Sequence, residues 1–392
     1  MKILILSFYY HPDLSAGSFR TKALVDRFLQ QGANIEIITT MPNRYTSFKP
    51  DALKTEISDM LSIHRIALPS HKSGMLDQVK AFLRYYQDSK LLVAEKDYDL
   101  VFATSSRLFT AFLGARIARK KNIPLYLDIR DIFTDSIVHI IPKAINWIAI
   151  PILKLIEKYA FNSAKRINIV SRGFLELLEN RYQDLDYRFF TNGIDNEFIE
   201  LENTKNFYNT SNNSNLNILY AGNIGAGQCL HKIVPNLAEA MQDTVFFKVI
   251  GDGGQITKLK EIIETKNIKN VELLAPIDRR SLITEYMKAD ILFMHLDNQD
   301  CFKRVLPSKI FEYAATGKPI LAGLSGYSEK FIKSEIENCE VFEPGNVDMA
   351  IKKLNQLKIK TTSRDKFIRT FSRDKIMKDM VDDIYKCYEE YC

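Results

Sequence analysis

Two doubly wound α/β domains are the fold this sequence predicts, and three observations predict it. Short runs rich in Ile, Leu, Val and Phe, apolar throughout, recur along 392 residues with helix-period patterns between them. Parallel strands covered by helices on both faces have that signature. Near the middle, "NEFIELENTKNFYNTSNNSN", residues 196–215, turns Asn- and Ser-rich and loses its period, which marks a connection rather than an element. The length also exceeds what one hydrophobic core supports.

The elements follow in order. "KILILSF", "NIEIITT", "SIHRIAL", "YDLVFAT", "IPLYLDI", "RINIVS" and "YRFFT" are the strands expected of the first domain. "NILYAG", "VFFKVIG", "VELLAP", "DILFMHL", "PILAGL" and "CEVFEP" are those of the second. The expected boundaries are 1–198 for the N-terminal domain, 199–215 for a linker and 216–371 for the C-terminal domain. A last helix, 372–392, is free by its pattern to pack on either domain. No uninterrupted apolar run reaches the roughly 18 residues of a membrane span.

Hydrophobic residues make up 46% of the chain and charged residues 26%, which excludes disordered and fibrous classes and leaves a globular enzyme or binding protein. Cys229, Cys301, Cys339, Cys387 and Cys392 show no C-x-x-C spacing, and "MKILILSFYY" turns at once into a polar loop. Both features point to a reducing cytoplasm, where the Asn209 and Asn212 sequons carry no meaning. A net charge of +6 and a pI of about 8.8, without a dense Lys/Arg run, argue against a nucleic-acid partner.

Ligands of open α/β sheets bind at the carboxyl ends of strands, so the loops there hold the candidates. "SFYYHPDLSAGSFRTKAL" follows the first strand and places Gly17 ahead of a helix that begins near Ser18 and carries Arg20. It lacks G-x-G-x-x-G, the dinucleotide fingerprint of a nicotinamide enzyme; the lone Gly can equally be a turn residue. "VIGDGGQITKL" sets Gly251, Asp252, Gly253 and Gly254 between a strand and a helix. Glycines there let backbone amides approach a phosphate or sugar, or simply turn the chain.

The third loop is "RVLPSKIFEYAATGKP", residues 304–319. Pro307 and Ser308 are helix start signals; Gly317 and Pro319 stop the helix. At about 100° per residue, Ser308, Lys309, Glu312, Tyr313 and Thr316 share an arc of about 140°, a polar ledge opposite Ile310, Phe311, Ala314 and Ala315. Free amides at the helix start, with the Lys309 ammonium, make a site for a diphosphate. Glu312 offers a carboxylate to two neighbouring hydroxyls such as those of a ribose. An exposed i,i+3 Lys–Glu pair is the competing reading.

"SIVHIIPKAINWIAIPILKLIEKYAF", residues 136–161, is strongly apolar, carries the only Trp and is broken by Pro142 and Pro151. Lys143, Lys154, Lys158, Lys165, Arg166 and Arg172 face only Glu157 in and after it. It reads either as a segment lying in a membrane interface or as a helix packed on the sheet. Asp184 and Asp186, a D-x-D, sit in the polar turn "RYQDLDYR", and no His/Cys cluster has ligand spacing; neither metal nor cofactor is expected.

"YAGNIGAGQ" (220–228), "VIGDGG" (249–254), "VELLAPIDRRSLITEYMKADILFMHL" (271–296) and "RVLPSKIFEYAATGKPIL" (304–321) stand in an order and spacing that resemble the C-terminal half of the retaining glycosyltransferases of family 4. The similarity is greatest to the bacterial branch that includes the N-acetyl-L-fucosamine transferases of O-antigen and capsule assembly. "ILILSFYYHPDLSAGSFRTKAL", "DLVFATSSRLFTAFLGARIARKKNIPLYLDIRD", "INIVSRGFLELL" and "FFTNGID" look like N-terminal counterparts, so the resemblance covers nearly the whole chain.

The resemblance implies a GT-B fold: two facing Rossmann-like domains with parallel sheets and a C-terminal helix crossing back to the first. The C-terminal domain would hold a nucleotide sugar and the N-terminal one the acceptor. Glu312 would bind the ribose, while Pro307, Ser308 and Lys309 would meet the diphosphate. Pro276 and Ile277 would lie by the base, with Gly222 and Asn223 lining the cleft. Gly17 would back the phosphates.

Three departures shift the chemistry. The first Glu of the family's E-x7-E pair is Arg304 here. The usual Arg and Lys after the first C-domain strand are Asn223 and, roughly, Gln228, so neutralisation moves to Lys309, Arg304 or Arg20. A histidine near the reacting sugar gives way to Arg130 and Asp131. The implied activity is metal-independent retaining transfer from a uridine-diphosphate N-acetylamino sugar to a polyprenyl-diphosphate-linked saccharide, at the inner face of the cytoplasmic membrane. A nucleotide-sugar 2-epimerase and a non-catalytic nucleotide-sugar binding subunit are the alternatives.

Overall fold

The computed structural model describes residues 1–44, 50–69, 75–105, 107–138, 143–200 and 215–392. The chain divides into two compact units, Met1–Asn192 with Arg373–Cys392, and Gly193–Ser372. The crossing between them falls at Gly193, ahead of the expected 198, and residues 201–214 of the expected linker lie outside the described residues. So do Asn209, Asn212 and Pro142.

In the first unit the strands are β1 (Lys2–Leu6), β2 (Asn34–Thr40), β3 (Thr55–Ile57), β4 (Leu61–Ile66), β5 (Leu100–Thr104), β6 (Leu125–Ile129), β7 (Arg166–Ile169) and β8 (Tyr187–Arg188). Their order is β3-β4-β2-β1-β5-β6-β7-β8. All pairs are parallel except β3 with β4, an edge strand that the sequence reading missed. Its "TEI" is short and largely exposed, so no apolar run announces it. The central strands are buried and largely apolar, as expected of a sheet covered on both faces.

The last helix, Arg373–Glu389, packs in this unit against helix Ala16–Gln30. Ile376, Met380 and Ile384 join Leu24, Val25 and Phe28 in one buried cluster. Each fully buried side chain of this kind contributes about 2 kcal/mol. Polar ties fix the register: Arg166 on β7 meets Asp186 at 2.7 Å, Asp383 at 3.0 Å and Glu390, and Tyr126 donates to Asp383 at 2.8 Å. Asp186 of the D-x-D is thus an ion-pair partner inside the unit.

In the second unit β9 (Leu216–Asn223), β10 (Val245–Asp252), β11 (Val271–Leu274), β12 (Ile291–His295), β13 (Ile320–Gly323) and β14 (Cys339–Phe342) form an all-parallel sheet ordered β11-β10-β9-β12-β13-β14. Written by position within the unit this is 3-2-1-4-5-6, the doubly wound order. Its connections reverse direction between β9 and β12, which opens a crevice beyond their carboxyl ends.

Candidate active site

Four of the second unit's candidates, Asn223, Pro307, Ser308 and Lys309, line that crevice. A cavity of about 220 Å³ is lined by Tyr220 and Asn223 from β9, Met294 and His295 from β12, and Pro307, Ser308 and Lys309. Lys309 opens the helix Lys309–Ala315. Its Nζ lies 5.3 Å from the centre of the Tyr220 ring and directly over Gly222, where an added Cβ would fall 1.8 Å from that nitrogen. The Tyr220 hydroxyl donates to the Asn223 carbonyl at 2.6 Å, which holds the ring under the ammonium.

The glycines of β9 and β10 have a packing reason. Gly222 pairs with Gly251 and Asn223 with Asp252 in register. A Cβ on Gly251 would fall 1.8 Å from the Gly222 carbonyl oxygen, and one on Gly253 would fall 2.6 Å from that of Ile224. Both have φ beyond +150°, as does Gly222 nearly, at +141°. These are conformations L-residues avoid. The Asp252 carboxylate accepts from the Gly253 amide at 2.7 Å and closes the turn. Gln228 bridges the facing loop, its side-chain oxygen accepting from Asn223 at 2.8 Å and from the Gly225 amide at 3.2 Å.

The polar ledge of helix Lys309–Ala315 differs from expectation. Glu312, Tyr313 and Thr316 are buried, because a helical wheel gives direction and not depth. The Tyr313 hydroxyl accepts from the Ala221 amide at 3.2 Å, tying the helix to β9. Glu312 is paired with Arg279 at 3.2 Å and accepts from the Tyr286 hydroxyl at 3.2 Å, so the exposed Lys–Glu pair is not the arrangement adopted. Each carboxylate oxygen keeps a further lone pair. Burial alone would weaken the Arg279 guanidinium's hold on its proton; Glu312, Asp195 and Glu197 reverse this and hold its pKa above the ordinary value.

The helix start also differs. Ser308 has helical dihedrals and makes no side-chain cap, and the amides of Ile310 and Phe311 already donate to the carbonyls of Pro307 and Ser308 at 3.1 Å. An anion here would rely on the Lys309 side chain more than on a row of open amides. Arg304 ends a 3₁₀ turn, Phe302–Arg304, just before this loop, while Pro276 and Ile277 follow β11, Ile277 packing on the core that also holds Phe311.

Sequence reasoning missed Arg279, Tyr286 and His295. His295, at the end of β12, contacts the Gln228 carbonyl through Nδ1 at 2.7 Å and accepts the Gly345 amide at Nε2 at 3.0 Å. The carbonyl only accepts, so Nδ1 carries the proton. Burial lowers the ring's pKa, the Gln228 contact opposing.

In the first unit Ser15 caps helix Ala16–Gln30 by accepting from Ser18 at 3.2 Å. The helix therefore starts ahead of Ser18, and Gly17 lies in its first turn. Arg20 turns inward: its guanidinium holds Asp128 at 2.9 Å and donates to the carbonyls of Phe190 and Thr191, so its charge is spent in the core of the unit. Arg130 is half-buried and reaches the Ala16 carbonyl and Asn192 at 3.3 Å each. Burial pushes its pKa down to about 10, Asp128 opposing and Arg20 and Arg373 reinforcing. Asp131 is exposed and accepts from Ser136 at 3.2 Å.

Comparison with known proteins agrees with this architecture. Residues 203–372 match the family described as glycosyl transferases group 1. The chain is 20% identical over 416 residues to WcaI of Escherichia coli (strain K12), assigned as a colanic acid biosynthesis glycosyl transferase, with 98% of this chain and 100% of that one covered. It superposes on sucrose-phosphate synthase of Thermosynechococcus elongatus with a TM-score of 0.75 at 12% identity, over 99% of each chain. On Anabaena Alr3699/HepE in complex with UDP-glucose the TM-score is 0.66 at 14% identity, over 98% of this chain and 100% of that one. The fold is GT-B, and within it residues 203–372 are similar to the glycosyl transferases group 1.

Proposed function

We propose that the protein is a retaining glycosyltransferase that moves a sugar from a nucleoside-diphosphate sugar to a polyprenyl-diphosphate-linked saccharide in bacterial surface-polysaccharide assembly. The observation that carries this reading is the Lys309 ammonium held over Gly222 at the switch point of the second sheet. A cation fixed beside a crevice at strand carboxyl ends is the group a departing diphosphate needs.

In the proposed reaction the bond between the anomeric carbon and the diphosphate oxygen breaks as the acceptor oxygen bonds to the same face. The acceptor's proton passes to the leaving phosphate. Lys309, with Arg304 near it in sequence, stabilises the negative charge that grows on that phosphate. Glu312, oriented by Arg279 and Tyr286, takes the ribose hydroxyls, and Pro276 and Ile277 border the base. Gly17, Arg130 and Asp131 are the proposed candidates on the first unit. A uridine-diphosphate N-acetylamino sugar is the proposed donor, in line with the UDP-glucose bound to Alr3699/HepE.

No helix among the described residues is long and apolar enough to cross a membrane. Lys143–Asn162 is one helix running through Pro151 rather than breaking there; it forfeits only the bond that the Pro151 nitrogen would make to Trp147. Trp147, Ile148, Ile152 and Leu155 are exposed on it, which supports peripheral contact with the cytoplasmic membrane that carries the acceptor.

Incubation with UDP-, GDP- and dTDP-sugars, with and without a polyprenyl-diphosphate-saccharide, tests the reading. Nucleotide release that needs the acceptor is expected. Donor interconversion without acceptor would make the protein an epimerase, and binding without turnover a nucleotide-sugar binding subunit.

A further inference from the structure

The first unit carries a second charged feature at the other edge of its sheet. Helices Met75–Val93, Leu108–Lys121 and Lys143–Asn162 end just before β5, β6 and β7, so their last turns gather at the amino ends of those strands. The strand-end loops holding Gly17 and Arg130 lie at the carboxyl ends. Among these last turns opens a cleft of about 520 Å³. Lys90, Arg116, Arg119, Lys120 and Lys121 line it, and no described lining residue is acidic.

Cations in the last turn of a helix complement its dipole, and this accounts for part of the cluster. Lys121 donates to the carbonyls of Lys96 and Ala94. Arg116 lies outside the last turn, however, and shares a helix face with Lys120 at i,i+4, a like-charge spacing that destabilises a helix. Two tyrosines of the cleft orient further cations: Arg119 stands 5.1 Å from the Tyr159 ring centre and Lys90 stands 5.5 Å from that of Tyr86. Repelling cations held by aromatic rings around a shared space are an arrangement that an anion relieves.

We infer that this cleft binds a phosphoryl anion, as a site separate from the strand-end loops. The volume far exceeds a bare phosphate, so the group would arrive as part of a larger molecule, with the tyrosine rings against its remainder. Two sources share the chemistry: an anionic lipid headgroup or a soluble phosphate ester. The exposed residues Ile148, Ile152 and Leu155 lead along one helix face to Tyr159 at the cleft, a path that an amphiphile would use.

The test uses the full chain carrying Lys309→Ala, which removes the candidate donor-site cation. To it are added either Arg116→Ala with Lys120→Ala or the charge-keeping pair Arg116→Lys with Lys120→Arg. Calorimetric titration with inorganic pyrophosphate and co-sedimentation with phosphatidylglycerol or phosphatidylcholine vesicles are compared. The alanine pair is expected to weaken pyrophosphate binding or phosphatidylglycerol sedimentation at least about tenfold, with an unchanged melting temperature and with binding restored in the charge-keeping pair. Loss confined to vesicles assigns the lipid source, and loss confined to pyrophosphate assigns the soluble one. Equal binding by both pairs in both assays overturns the site.

Discussion

Lys309 occupies the space that a side chain on Gly222 would need: a Cβ at Gly222 would sit 1.8 Å from its ammonium nitrogen. The two residues belong to different elements, β9 and the helix after the 304–308 loop, and their contact sets where the cation stands. Gly222→Ala should therefore act on the donor site. The φ of +141° adds backbone strain, of order 1–2 kcal/mol. We expect a donor KM raised about tenfold or more with a modestly lower melting temperature; unchanged donor affinity in a folded variant would break the link.

Arg279 and Glu312 form a largely buried pair, with side chains 15% and 12% exposed. Removing Arg279 leaves the Glu312 charge uncompensated, at a cost of about 3 kcal/mol, whereas Arg279 without Glu312 keeps Asp195 and Glu197. Arg279→Met should lower the melting temperature markedly, while Glu312→Gln should chiefly weaken donor binding because it retains shape and one acceptor oxygen. Thermal melts and nucleotide titrations of both variants separate the roles. Should Glu312→Gln leave donor affinity intact, the ribose assignment is removed.

His295 gives a pH dependence. Its pKa is lowered by burial in the fold against about 6.5 in the unfolded chain. Its contribution is complete above about pH 6.5 and shrinks below it, because the unfolded chain takes up a proton that the folded ring refuses. His295→Asn loses the Gly345 contact. The gap in melting temperature between wild type and this variant should be widest near neutrality and narrow toward acid; a gap independent of pH would contradict the neutral Nδ1-protonated ring.

The proposed peripheral membrane contact rests on the exposed side chains of helix Lys143–Asn162. Trp147, Ile152 and Leu155 are 74%, 51% and 67% exposed, so replacing all three with Ser costs the fold little. Flotation with liposomes should drop more than about tenfold, each lost apolar side chain being worth about 1–2 kcal/mol on insertion. Equal flotation with an intact fold would return the helix to a plain sheet-covering role.

The strands were legible because parallel strands covered on both faces must be continuous apolar runs, and β3 escaped because a polar edge strand has none. Lys309 was legible from the start signals of a short helix. Its environment was not: the partnership of Glu312 with Arg279 joins distant residues, and the Gly222–Gly251 contact depends on strand register. Arg20 shows the reverse limit. A cation after a strand-end glycine reads as a ligand group, yet the Asp128 carboxylate and two carbonyls hold it in the core.

Lys309 is proposed to neutralise the leaving diphosphate of a glycosyl donor. Acceptor-dependent nucleotide release, measured for wild type, Lys309→Ala and Lys309→Arg under saturating donor, tests it most directly. Wild type should release nucleotide, with a fall of about 10²–10³ in kcat for Lys309→Ala and partial recovery in Lys309→Arg. Turnover in Lys309→Ala equal to wild type would contradict it.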